Sequence, residues 1–175
     1  MLLLDKGIGS HMKNFVALFV MCLVLNACGF QPMHGKFSGV DRSAYFDNIA
    51  ISNIPNREGQ FLRNALIDRF YTGARPESPK YTLKINPLQE TKRALDVTIL
   101  SDTTREQLTV RTTMELIEND TNKSLLKRNL YSKTSYNVLA SEFATRVSEQ
   151  NTRENALNDL ARQIEFQISL FQKTK

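Results

Sequence analysis

The chain has few of the residues that build disulfides, metal sites and catalytic triads, with two cysteines and two histidines among 175 residues. Cys22 and Cys28 both lie in or at the edge of one apolar N-terminal stretch, so neither is left for a folded body. A disulfide framework and a cysteine-based metal site are therefore excluded from that body. His11 precedes the same stretch, and His34 is the one imidazole that follows it.

Motifs that would indicate an enzyme are also missing. The sequence has no glycine-rich phosphate loop, no Gly-x-Ser-x-Gly turn and no zinc-protease helix motif. His34 lies close to Pro32, Gly35 and Gly39 in a stretch without a sustained period, which is typical of a solvated loop. The carboxylates are scattered over polar positions. The sequence therefore predicts a protein that is not an enzyme and that has no metal site.

The composition is that of an ordinary globular protein with one core, with 41% hydrophobic and 23% charged residues and few glycines and prolines. The formal net charge is +5. Removing residues 1–27 takes away Lys6, Lys13 and Asp5, which leaves 21 basic and 17 acidic residues and a balance of +4. This surplus favours anionic partners, among which nucleic acid, lipid phosphate and acidic protein all stay open.

The N-terminal segment has the layout of a secretory signal. Lys13 precedes an unbroken apolar run over residues 15–25, and small residues follow it. As a helix this run would span about 16 Å, roughly half of the 30 Å hydrocarbon core of a bilayer, which disfavours a permanent transmembrane helix. Residues 1–11 add nothing to the signal, so the true start is either Met1 or Met12.

The end of the signal matches the lipobox of bacterial lipoproteins, because residues 25–28 read Leu-Asn-Ala-Cys. In such proteins the cysteine sulfur carries a diacylglyceryl group, and cleavage frees its amine for a further acyl chain. The pattern predicts that residues 1–27 are removed and that Cys28 becomes a lipid-bearing N-terminus, fixed to a membrane by several acyl chains. The alternative is an ordinary signal peptide cut near Ala27, with Cys28 there by chance.

Hydrophobic periodicity predicts a single α/β (α+β) domain over residues 45–175, joined to the lipid by a tether over residues 28–44. Apolar residues recur at helical spacing over residues 57–71 and about 141–172, and Asn151–Thr152 is the place where the second of these helices could break. Two-residue alternation or short apolar runs over residues 45–51, 81–85, 95–99, 105–117 and 126–138 predict strands, with a hairpin turn at residues 101–104. We expect a two-layer sandwich with a four-stranded, largely antiparallel or mixed sheet and two helices on one face, in the order β-α-β-β-β-α.

Basic residues recur along the expected strands, where they would form a patch on adjacent strands if they share a face. Glu106 and Glu115 interleave with them. The alternative is that these cations serve solubility and protect the sheet edges. The residues concerned are Lys92, Arg93, Arg105, Arg111, Lys127, Arg128 and Lys133.

The start of the mature chain resembles a known family. Residues 28–35 read Cys-Gly-Phe-Gln-Pro-Met-His-Gly, similar to the Cys-Gly-Phe-x-Pro-x-x-Gly of the LptE (RlpB) lipoproteins of lipopolysaccharide assembly. Ser-Tyr-Asn-Val at residues 135–138, Ser-x-Phe-Ala at 141–144 and the terminal amphipathic helix look similar to alphaproteobacterial members.

This resemblance implies an outer-membrane lipoprotein, anchored on the periplasmic side, that plugs the LptD β-barrel and assists translocation of lipopolysaccharide to the outer leaflet. It implies lipopolysaccharide rather than nucleic acid as the anionic ligand, and no cofactor apart from the N-acyl and S-diacylglycerol lipid at Cys28. The candidate lipopolysaccharide-binding residues, in order, are Arg105, Lys127, Arg128, Arg111 and Lys133. A scaffold or chaperone of a barrel without affinity for lipopolysaccharide, and a lipid-anchored enzyme or solute-binding module, stay open as alternatives.

Overall fold

A computed structural model describes residues 45–71, 73–97 and 103–174. The expected signal peptide, Cys28 and the tether lie outside these residues, as does the first half of the expected turn at 101–104. All of the described residues belong to one compact unit of the chain, Val40–Lys175.

The described chain forms five strands and two helices. A short strand and a helix come first, four strands follow, and a long helix ends the domain. In chain order these are β1 (Ile49–Ile51), α1 (Asn56–Phe70), β2 (Tyr81–Ile85), β3 (Gln89–Val97), β4 (Thr103–Glu118), β5 (Lys123–Asn137) and α2 (Glu142–Thr174).

Strand β4 is the centre of the sheet. One of its edges pairs with β5 along nearly its whole length, and the other pairs with β3 in its first half and with β2 in its second half, all antiparallel. Strand β1 adds to β2 in parallel. The turn between β4 and β5 uses Asn122 at a φ of 52°, a left-handed conformation that asparagine tolerates well.

The core lies between one face of the sheet and the two helices, which we call the inner face. Every second residue of β4 from Leu108 to Leu116 is buried there, together with Leu83 and Ile85 of β2. Helix α1 contributes Leu62, Leu66 and Phe70 at helical spacing. Helix α2 contributes Ala156, Leu157, Leu160, Ala161, Ile164 and Ile168. The expected two-layer sandwich with both helices on one face is confirmed.

The expected four-stranded sheet is one strand short, because each of the five alternating segments forms a strand and the order in the described chain is β-α-β-β-β-β-α. The strand expected at residues 95–99 is the one whose position differs, since β3 starts at Gln89 rather than near Leu95 and has no buried residue over residues 89–95. Leu95 itself is 44% exposed. The prediction of a half-buried strand at this position is therefore wrong, because the strand is exposed. A strand that is polar on both sides gives no alternation to read.

Helix α2 runs without a break through Asn151–Thr152. Thr152 is buried, and its carbonyl oxygen accepts a hydrogen bond from Thr134 Oγ1 of β5 at 3.4 Å. The polar pair Asn151–Thr152, which suggested a break in the helix, thus provides a contact between the helix and the sheet.

Candidate ligand-binding face of the sheet

Six exposed cations lie on the outer face of the sheet, which points away from the helices. The strand register places them there, because each is paired with, or stands two residues from, an outward residue of β4. We call this surface the basic face. Its cations are Lys84, Arg93, Arg105, Arg111, Lys127 and Lys133.

These cations come in three pairs along β4. Arg93 is opposite Gln107 and therefore diagonal to Arg105, two residues away, and diagonal neighbours on a sheet lie about 7–8 Å apart. Arg111 is opposite Tyr131 and diagonal to Lys133 in the same way. Each of these two pairs can reach one phosphate or two adjacent phosphates.

The third pair, Lys84 and Lys127, flanks Glu115 in one row across three strands. Glu115 is the one carboxylate among the outward residues whose side chains the structure describes on β2 to β5. The basic face therefore keeps a surplus of positive charge, although Glu115 partly neutralises this end of it and Asp96 stands opposite Arg105 at the other end.

Ion pairs lie on the other side of the molecule. All of the salt bridges found within the described residues involve α1 or α2, from Arg69–Glu165 to Arg162–Asp159. None of them includes a cation of the basic face. Cations that form no ion pair with the described side chains are available to an external anion at little cost, although Asp96 of β3 stands opposite Arg105 in the sheet register.

Neutral donors and an aromatic ring complete the basic face. Arg105 Nη2 donates to Ser135 Oγ at 3.0 Å, which holds the guanidinium against β5. Lys133 Nζ lies 5.4 Å from the centre of the Tyr131 ring, a cation–π contact that orients the ammonium group. Thr113 donates to Asn129 Oδ1 at 2.8 Å. Such a surface can bind an anion bearing hydroxyl groups.

The structure brings four of the five candidate residues together. Arg105, Arg111, Lys127 and Lys133 share the basic face, whereas Arg128 is opposite Met114 and stands on the inner side of the sheet, at its exposed edge. Arg128 Nη1 donates to the carbonyl of Lys127 at 2.9 Å. Lys84 joins the basic face, and its alternation with Leu83 and Ile85 was the signal available in the sequence.

Lys92 also points inward, and it belongs to an ion-pair cluster that we call the clamp: Glu90 and Lys92 of β3 with Glu149 and Arg153 of α2. Lys92 Nζ and Arg153 Nη2 each lie 2.6 Å from Glu149 Oε1, and Arg153 Nε lies 3.0 Å from Glu90 Oε1. Burial alone would raise the pKa of Glu149, but the hydrogen bonds from Lys92 and Arg153 outweigh it and lower that pKa below its usual value. The clamp fastens an otherwise exposed strand to the helix layer.

A cleft between α1 and α2 bears on the alternative of a solute-binding module. Its volume is about 230 Å³, and polar side chains such as Arg57, Asn64 and Gln150 line it. Pockets that enclose small ligands usually measure about 300–1,000 Å³. This cleft is smaller than such a pocket, so it gives the module alternative little support.

No group of histidine and carboxylate side chains within residues 45–174, as far as they are described, is arranged to hold a metal ion. Among the helices that the structure describes, neither is both long enough and apolar enough to cross a membrane.

Comparison with protein families gives a match over most of the domain. Residues 46–168 match the LptE family model, described as lipopolysaccharide-assembly. No curated protein sequence matches the chain.

Several solved lipoproteins have a similar fold. A lipoprotein from Caulobacter crescentus superposes with a TM-score of 0.59 at 18% identity, over 76% of this chain and 96% of that one. Rare lipoprotein B from Shewanella oneidensis gives 0.57 at 8% identity, over 73% and 96%. A minor lipoprotein from Acinetobacter baumannii gives 0.55 at 19% identity, over 73% and 93%. At these identities the likeness concerns the fold.

Proposed function

Because the chain belongs to the LptE family of lipopolysaccharide-assembly proteins, we propose that it acts as an outer-membrane lipoprotein without catalytic activity. In this role it complexes with an LptD-like β-barrel as a plug and assists the passage of lipopolysaccharide into the outer leaflet. Its lipid, carried on Cys28, holds it at the periplasmic side of that membrane.

The observation that supports lipopolysaccharide as a ligand most directly is the basic face. Lipopolysaccharide presents phosphates and sugar hydroxyls, and the basic face presents cations that form no ion pair with the described side chains, beside the neutral groups of Ser135, Asn129 and Tyr131. Charge-assisted hydrogen bonds from guanidinium groups to phosphate are among the stronger polar contacts in proteins. Within the part of the chain that is described, the helix layer offers no comparable group of unpaired cations on one surface.

The proposal is tested by reversing two charges of the basic face. We expect Arg111→Glu with Lys133→Glu to weaken binding of purified lipopolysaccharide by on the order of tenfold, since exposed pairs contribute up to about 1 kcal/mol each. The matched control is Arg57→Glu with Arg162→Glu, which changes the net charge equally on the helix layer. Binding can be followed by titration of lipopolysaccharide into the protein at low and high salt, and salt should weaken the wild-type interaction.

Equal loss in both double variants would mean that net charge alone drives binding, which contradicts a specific basic face. Unchanged binding in both would favour the role of a scaffold for a barrel without affinity for lipopolysaccharide. Reversal of Arg105 with Lys127 tests the remaining two candidates of the basic face in the same way.

A further inference from the structure

Strand β5 has one side that no other described strand covers. Strand β4 pairs with β5 along nearly its whole length, and within the described part of the chain no strand pairs with the opposite side. We call that side, over residues 126–137, the open edge. It contains no proline or glycine, and the one irregularity of the β4–β5 register lies before it, next to Leu126. The open edge is therefore longer and more regular than most strand edges, which are short, bulged or interrupted.

The backbone groups that face the open edge belong to every second residue. In an antiparallel ladder, residues alternately direct their N–H and C=O groups toward the partner strand and away from it. The carbonyl groups of Lys127 and Tyr131 point away from β4, because they accept hydrogen bonds from the side chains of Arg128 at 2.9 Å and Gln163 at 3.1 Å. The odd-numbered residues from 127 to 137 thus direct N–H and C=O groups to the open edge, and the even-numbered residues bond to β4.

The two side chains that reach the open edge leave room for an added strand. Arg128 and Gln163 each bond one carbonyl group, and both bonds are exposed to solvent. The N–H groups of an added strand can replace these two donors one for one. Such a strand would in addition accept hydrogen bonds from the N–H groups of β5, which is the way in which sheets bind extended peptides.

The charge of β5 argues against a second copy of the chain as the added strand. The strand carries no carboxylate, and its four cations are Lys123, Lys127, Arg128 and Lys133. Two copies of β5 side by side would bring these cations close together, and like charges on neighbouring strands are destabilising. A strand that carries carboxylates has the complementary charge.

The carboxylates already near β5 leave two of these cations available. Glu115 of β4 lies opposite Lys127 and partly neutralises it. Asp159 of α2, which accepts a hydrogen bond from Ser132, is paired with Arg162 at 3.1 Å. Arg128 on the inner side of the sheet and Lys133 on the outer side are both exposed. Neither forms an ion pair with the described side chains.

We propose that the open edge binds an extended, acidic segment of a partner protein, which pairs with β5 as a further strand of the sheet. Arg128 and Lys133 are five residues apart and on opposite faces, so the complementary segment carries carboxylates at the same odd spacing, one on each face. The added strand would extend the basic face without covering it. This interaction therefore goes beyond the proposed function and does not depend on it.

The experiment titrates a synthetic ten-residue peptide into the full chain in detergent micelles. The peptide alternates valine and threonine, with two glutamates five residues apart. One control peptide has lysines in place of the glutamates, and another keeps the glutamates but has methylated backbone nitrogens, which cannot donate hydrogen bonds. Amide hydrogen exchange of β5 is measured residue by residue by NMR.

We expect the acidic peptide at saturation to slow exchange at residues 129, 131, 133 and 135 by at least about tenfold, because their N–H groups become bonded. Exchange at the even-numbered residues of β5 should stay the same, since they already bond to β4. Neither control peptide should have this effect.

Four outcomes would overturn the proposal. The first is an acidic peptide that leaves exchange at the odd-numbered residues unchanged. The second is equal binding of the methylated peptide, which would mean that charge alone holds the peptide without strand pairing. The third is equal protection by the lysine peptide. The fourth is protection of the odd-numbered residues without peptide that rises with the concentration of the chain, which would identify a second copy as the occupant.

A charge reversal tests the choice of an acidic partner. Arg128→Glu should weaken binding of the acidic peptide about fivefold, and Arg57→Glu, which makes the same change of charge on α1, should leave it unchanged. Because Arg128 does not lie on the basic face, this reversal leaves the proposed lipopolysaccharide site intact. The dispersion of the NMR spectrum shows whether each variant is folded, and Arg128→Gln should give a smaller loss. Unchanged affinity in both Arg128 variants would contradict a partner chosen by its carboxylates.

Discussion

At the scale of single residues, Gly59 is a described position where a simple steric reason opposes substitution. It is buried in the first turns of α1. A Cβ added there would lie 2.7 Å from Ile54 Cγ2 and 3.0 Å from the backbone of Ile54. Since Ile54 is itself fully buried, its side chain has little room to move.

We therefore expect Gly59→Ala to lower the free energy of unfolding by about 1–2 kcal/mol, because overpacking outweighs the roughly 1 kcal/mol that alanine gains in helix propensity. Urea denaturation measures the difference. Gly73→Ala is the control, since nothing lies within 4 Å of the added Cβ. Equal stability of both variants would show that α1 shifts freely against Ile54.

Cys28 is the second residue on which the interpretation depends. If it carries the lipid, Cys28→Ala should leave the chain uncleaved by the lipoprotein peptidase and without acyl mass. Cys22→Ala, in the apolar run that is cleaved away, should leave the mature mass unchanged. Mass spectrometry of the chain isolated from membranes distinguishes the two, and an unmodified N-terminus in the wild type would contradict the lipoprotein assignment.

Alternation of residues was enough to predict most of the basic face. Four of its cations occupy the outward positions of their strands, which alternate with the buried ones: Arg105 and Arg111 on β4, and Lys127 and Lys133 on β5. Arg128 occupies the buried phase itself and is exposed because β5 is an edge strand at that point. Strand alternation already separates Arg128 from its neighbour Lys127, whereas its exposure could not follow from the sequence, since edge position is a property of the assembled sheet.

At the scale of elements, the helices and strands in which buried residues recur at a regular spacing are the ones that the sequence predicted correctly. Helix α2 and strands β4 and β5 have one apolar side, so their period is visible in the sequence. Strand β3 has polar residues on both sides, because its inward side chains Glu90 and Lys92 bond to α2 through the clamp instead of entering the core. Ion pairs between distant segments leave no local pattern in the sequence. Of the pairs in the clamp, only Glu149 and Arg153 lie four residues apart on one helix.

The clamp should make the stability of the domain depend on pH. The folded-state pKa of Glu149 lies below its value of about 4.5 in the unfolded chain, so the carboxylate stabilises the fold above that pH. This stabilisation is lost as the pH falls through the lowered folded-state pKa. With a side chain 18% exposed, Glu149 should contribute about 1 kcal/mol at neutral pH.

We expect Glu149→Gln to lower the free energy of unfolding at pH 7 by about that 1 kcal/mol and to reduce the dependence of stability on pH between pH 5 and 3. Glu142→Gln is the matched control, because Glu142 is 79% exposed in its pair with Arg146 and should matter little. Denaturation midpoints at several pH values check both. If the two variants have the same pH profile, the clamp does not hold β3 to α2.

At the scale of the whole molecule, charge is separated between two layers. Paired charges lie on the helix layer, and the cations on the outer face of the sheet form no ion pair with the described side chains. Composition predicted the surplus of positive charge but not this separation, since the sum over a sequence carries no information about faces. The family resemblance in residues 28–35 led to the expectation of lipopolysaccharide as ligand, and the match over residues 46–168 shows the family.

The most direct test of the central claim is co-purification of the full chain from detergent-solubilised envelopes, with the retained proteins identified by mass spectrometry. A partner in lipopolysaccharide assembly should retain one large outer-membrane β-barrel at a fixed ratio. The Cys28→Ala variant should retain less of it, because a chain that lacks the lipid is no longer concentrated at the outer membrane. Recovery of the chain alone, or with soluble periplasmic proteins in place of a barrel, would contradict the claim.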